Sequence, residues 1–154
     1  MKIKLFAAVF FLMTVLSGCD GRLEVRDRAF VQSAGIEYEN DEYIVCLRLF
    51  DSDESYTGRG KSFEDAVNNA ESLQGKDFFT GHTEIVAVRE NDRMTVLESL
   101  INEDVSSGCL VVTDDNPLQF VSINDPETVK GIISTAERNG IAEKINICDV
   151  INGR

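Results

Sequence analysis

Only one histidine, no tryptophan and two prolines occur in the 154 residues, and lysine plus arginine number 15 against 27 acids. The lone histidine, His82, has no G-x-S-x-G nucleophile turn to work with. A single histidine ahead of an apolar strand more often orders a turn through a backbone hydrogen bond, and that role is expected of His82. No CxxC pair or Cys/His cluster marks a metal site. A net charge of −12 argues against nucleic acid, because phosphate binding needs clustered Lys and Arg. The same acidity opposes lying flat on anionic lipid. The apolar run Leu5–Leu16 falls short of the roughly 20 residues that cross a bilayer.

That run has another use. Lys2 and Lys4 precede it, and Leu16-Ser17-Gly18-Cys19 follows, which is the layout of an export signal with a small-residue cleavage site. A cysteine directly after Leu-Ser-Gly makes it a lipoprotein signal. Residues 1–18 are therefore expected to be removed, and Cys19 to carry diacylglycerol in thioether linkage. Two acyl chains anchor stably where one holds only marginally. Arg22, Arg26 and Arg28 sit just past the anchor, each worth ~1 kcal/mol toward anionic lipid, with Glu24 and Asp27 offsetting part of the charge. No Gly/Ser/Pro linker follows, so residues 19–28 form a short tether and residues 29–154 one α+β domain held close to the membrane on its extracytoplasmic face. Cys46, Cys109 and Cys148 remain, an odd number. They are expected as free, buried thiols, with one disulfide as the alternative.

Ala29–Glu37 and Tyr43–Asp51 read as strands joined by the polar turn Glu39-Asn40-Asp41-Glu42, a hairpin. On the second strand Val45, Leu47 and Leu49 share one face, and Cys46, Arg48 and Phe50 the other. Asp51–Lys61, with Gly58 and Gly60, reads as a loop. Ser62 caps a helix with Asp65 three residues on, Ala66, Val67, Ala70 and Leu73 form its stripe, and Gly75 ends it. Thr83–Arg89 is a third strand. Asn91 or Asp92 caps a helix with the stripe Met94, Leu97, Leu100 and Ile101. Leu110–Thr113 is a fourth strand. Asp125-Pro126-Glu127 opens a third helix, with Val129, Ile132, Ile133 and Ala136 as its apolar face and Asn139-Gly140 as its end. Ile141–Ile151 is apolar and of open assignment. About four strands and about three helices predict an α+β fold with a mixed sheet.

The remaining patterns carry little chemistry. Asp51-Ser52-Asp53-Glu54-Ser55 has the acid spacing of a calcium loop but lacks its glycine and closing glutamate. Gly58-Arg59-Gly60 is too short to cradle phosphate, and Asp114-Asp115-Asn116-Pro117 is turn chemistry. No cofactor and no enzymatic activity are expected.

Several local patterns recur in an order that resembles the N-terminal domain of the Ger(x)C family, the lipoprotein subunits of bacterial spore germinant receptors. These are Cys19-Asp20-Gly21-Arg22-Leu23-Glu24, Gly35-Ile36-Glu37, Gly60-Lys61-Ser62-Phe63-Glu64-Asp65-Ala66 and Gly75-Lys76-Asp77-Phe78-Phe79-Thr80-Gly81-His82 before Ile85-Val86-Ala87-Val88. The last is the most specific. The family's tryptophan after the lipidated cysteine is absent, and Glu37 stands for its aspartate. The resemblance implies a non-enzymatic accessory lipoprotein of a germinant-receptor-like complex in the inner spore membrane. Its partners would be membrane lipid, through diacylated Cys19, and integral membrane receptor subunits. The alternative is a free-standing extracytoplasmic lipoprotein that binds a small ligand or cation through its acidic loops.

Overall fold

β1 (Arg28–Glu39) and β2 (Glu42–Leu49) form the expected hairpin. Asn40 and Asp41 both take positive φ, 53° and 61°, the two-residue turn whose twist suits antiparallel strands. The computed structural model describes residues 28–50 and 52–153. Cys19, the signal segment, Arg22 and Arg26 lie outside the described residues.

One irregularity shapes β1. Val31 pairs with Leu49 and Ser33 with Arg48, so Gln32 is an extra residue, a bulge. Val31, Ala34 and Ile36 consequently face the same core despite their uneven spacing. Val45, Leu47 and Leu49 join them, whereas Cys46 faces the other side, as the alternation predicts.

The expected loop after β2 is instead a strand. β3 (Ser55–Gly60) pairs antiparallel with β2 and forms one edge of the sheet. Its glycines hid it, and their reason is packing. A Cβ on Gly58 would collide with the carbonyl oxygen of Ala66 on the helix α1 (Phe63–Gln74). Strand and helix backbones touch where a side chain would separate them. Ser62 Oγ accepts the Asp65 N–H at 3.0 Å, and Gly75 ends the helix at φ 69°. Phe63, Ala66, Val67 and Ala70 are buried, but Leu73 is 70 % exposed and lies outside the stripe expected of it.

β4 (Asp77–Phe79) pairs parallel with the first residues of β1, and β5 (Ile85–Val88) pairs parallel farther along the same edge. A 3-10 turn, Glu90–Asp92, leads into α2 (Arg93–Leu100). Asp92 makes no capping hydrogen bond, and the helix buries Val96, Leu97 and Leu100 while Met94 and Ile101 face solvent. β6 (Leu110–Thr113) pairs parallel with β5 and completes the order β3-β2-β1-β5-β6, with β4 beside β1. The Asn116-Pro117 turn begins a further helix, α3 (Pro117–Ile123). Asn116 Oδ1 accepts the Gln119 N–H at 3.1 Å, and proline takes the first turn. α4 (Pro126–Arg138) starts at the Asp125 cap as expected. The undecided stretch contains α5 (Ile147–Ile151), opened by a reciprocal Asn146–Asp149 capping box. The described residues thus hold six strands and five helices, an α+β fold with a mixed sheet and more elements than expected.

The sheet carries helices on both faces. α1, α2 and α5 bury Ala66, Ala70, Leu97, Leu100, Ile147 and Val150 against the main core. α3 covers the other face, where Val121 meets Cys46 and Ala87. A Cβ on Gly35 would strike the Pro117 carbonyl, so α3 too lies against bare backbone.

Replacing Gly58 by alanine should lower stability by about 1–3 kcal/mol, the cost of overpacking, in urea unfolding. A change within 0.5 kcal/mol, typical of surface sites, would contradict the close approach.

The three described cysteines are free. Cys46 and Cys109 are buried as expected, but Cys148 is exposed, on the short helix α5 whose inward residues are Ile147 and Val150. Burial raises the Cys46 thiol and pushes Cys109 up to about 12. At neutral pH a maleimide should modify Cys148 in the native protein and reach Cys46 and Cys109 only after unfolding, as mass spectrometry would count.

Candidate functional site

The Gly75–His82 motif closes over the first residues of β1. Gly75 turns the chain out of α1, and Glu71 Oε1 accepts the Phe78 N–H at 2.6 Å, which fixes the start of β4. Pairing then sets Phe79 beside Phe30. Their rings meet edge-on with centroids 5.6 Å apart. His82 stacks on Phe30 at 5.7 Å and meets Phe79 edge-on at 5.3 Å. The Arg28 guanidinium lies 5.9 Å from the Phe79 ring centre, within cation–π range.

This corrects the role expected of His82. Its imidazole is exposed and lies against two rings, and the turn is tied by its neighbour: Thr83 N–H and Thr83 Oγ1 both donate to the Thr80 carbonyl, at 2.9 and 2.7 Å. The partners of His82 among the described residues are aromatic, not a nucleophile or an orienting carboxylate. Arg28 is the one tether arginine within the described residues.

A second cluster adjoins the first at the bulge. Gln32 Nε2 donates to Glu84 Oε2 at 3.1 Å and to Glu127 Oε1 at 3.0 Å. Lys130 Nζ donates to Glu84 Oε1 at 2.7 Å and Glu127 Oε1 at 3.2 Å. The bulge residue therefore ties β5 to the first turn of α4. The hydrogen bond to Glu84 holds the Lys130 ammonium above its usual range, with Glu127 adding to it. A cavity of about 340 Å³ opens beside this network, with His82, Lys130 and Lys144 in its wall.

α4 needs that tie. Its expected apolar face is not buried: Pro126 is its only buried residue, Ile132 is 64 % exposed, and Val129, Ile133 and Ala136 are half-buried. Sequence reading found the helix and missed the polar contacts that hold it. The available signals were a glutamine inside an apolar strand and the i, i+3 pair Glu127–Lys130.

Several polar groups of the acidic loop find partners within the protein. Asp53 accepts from Arg48 Nη2 at 3.0 Å, Ser52 Oγ accepts the Glu54 N–H, and Tyr56 donates to Glu54. Among the described residues no group of three or more His, Cys, Asp and Glu is placed to hold a metal ion.

Lys130→Met should loosen α4 alone, raising amide exchange over residues 126–138 while the sheet stays protected. A folded-state rise in a lysine's pKa adds stability that is full below its unfolded value, near ~10.4, and fades as pH climbs above it. Protection of α4 should accordingly hold through neutral pH and fall above about pH 10.4 in wild type but not in Lys130→Met. Equal exchange in both proteins would remove the role of this network.

The sequence model of the family described as spore germination protein N-terminal domain matches residues 21–153. No curated protein matches the chain, and no solved structure does. The match runs from the residues before β1 to the end of α5 and takes in both clusters. The chain belongs to the family of spore germination protein N-terminal domains.

Proposed function

We propose that the chain is a non-enzymatic, membrane-tethered subunit that assembles with integral membrane subunits of the germinant-receptor type. The observation that carries this reading is the match to a spore germination family over residues 21–153. Diacylglycerol on Cys19 supplies the anchor, on the extracytoplasmic face of the inner spore membrane. From Cys19 to Arg28 the chain reaches at most about 30 Å. The end of the domain that carries Arg28, Phe79 and His82 then stays near the bilayer, and the partner surface lies on that side, around Arg22–Arg28.

The physical logic is positional. A tether raises the effective concentration of a nearby partner, so modest affinity suffices for occupancy. The aromatic cluster gives the tether a firm point of attachment: Arg28 and Phe30 are fixed by β4 and His82 before the chain leaves the fold.

Cys19→Ala should move the protein from the membrane to soluble or unprocessed fractions, and the wild-type mature chain should carry acyl mass on its first residue. Tagged receptor subunits should recover the wild-type protein from mild detergent, and deletion should slow germination. An N-terminus free of acyl groups would remove the anchor. Recovery of the protein alone, with normal germination of the deletion strain to every germinant tried, would favour the free-standing binding lipoprotein.

A further inference from the structure

Several cavities open among the described residues, and three of them have charged side chains in their walls. Another, about 250 Å³ between α2 and α5, is lined by the aliphatic Leu100, Ile101, Val105, Ile147 and Ile151 with the uncharged Ser107, Cys148 and Asn152 beside them, and contains no charged residue. Leu100 and Ile147 are fully buried at its floor, whereas Ile101 is 55 % exposed at its mouth. The exposed Cys148 stands on its rim.

We propose that this cleft is a binding site for a small, uncharged aliphatic ligand. Its lining decides the chemistry. A charged group would lose its hydration with no opposite charge and only Ser107 and Asn152 to replace it, whereas an alkyl group would exchange water for five aliphatic side chains. Its volume decides the size. At ~30 Å³ per water the cleft holds about eight water volumes, enough for a short alkyl chain and too little for a helix about 10 Å across. An occupant would also cover the exposed part of Ile101. The proposal does not depend on the membrane reading.

Cys148 supplies the probe. Its thiolate attacks the sulfenyl sulfur of an alkyl methanethiosulfonate, a Cys148–S–S–alkyl bond forms, methanesulfinate leaves and the thiol proton passes to solvent. Each methylene moved from water into an apolar site is worth about a fourfold change. With the full chain in lipid nanodiscs, the hexyl reagent should outpace the methyl reagent by at least about tenfold more at Cys148 than at a solvent-facing control thiol, Glu98→Cys in a Cys148→Ser background. Ile101→Glu places a carboxylate at the mouth of the cleft, at an exposed position where circular dichroism should show the fold unchanged. It should bring the Cys148 ratio down to the control. Equal hexyl-to-methyl ratios at the two sites, or a Cys148 ratio unmoved by Ile101→Glu, would overturn the proposal.

Discussion

The bulge at Gln32 is the constraint on which the rest of the molecule depends. β1 is the shared strand of the sheet, paired with β2 on one edge and with β4 and β5 on the other. One extra residue lets both jobs fit on twelve. It keeps Val31 in the main core while the Gln32 amide reaches Glu84 and Glu127. Remove the bulge and one of these is lost: with a strict period of two, the residues before it would shift to the opposite face.

Helices are held to this sheet in two ways. α1 sinks Phe63, Ala66, Val67 and Ala70 into the core against glycine-bearing β3, so backbone approach and apolar burial act together. α4 has almost no buried apolar surface and depends on two carboxylates, one lysine and one glutamine. Salt does not screen hydrophobic attachment, whereas it weakens partly exposed ionic attachment. α4 is therefore the helix whose attachment answers to ionic conditions.

Much of the architecture was legible in the sequence. The hairpin, the Ser62 and Asp125 caps, the Gly75 stop and the alternation in β2 rest on local chemistry, and each appears where its residues place it. What failed has tertiary causes. β3 read as a loop because Gly58 answers to a helix that the strand itself cannot announce. α3 read as a turn because Asn116-Pro117 serves both structures equally well. Periodicity gave α4 an inward face that the fold does not bury, since a hydrophobic stripe identifies a helix without identifying its partner. His82 was correctly placed ahead of a strand, but its partner Phe30 lies far away in sequence and only the parallel pairing of β4 brings Phe79 to them both.

The two edges of β1 also differ in how soon they can be satisfied. Its hairpin partner follows after a two-residue turn, and such a pair closes within about 1–10 μs. Its parallel partner is remote, as the 52 positions between Gln32 and Glu84 measure, and loop entropy delays such contacts. During synthesis the hairpin forms with one row of its amides and carbonyls unpaired until β4 and β5 arrive. A nascent chain in that condition offers an open strand to any extended neighbour, so the slow step of folding is also the moment of greatest risk of aggregation.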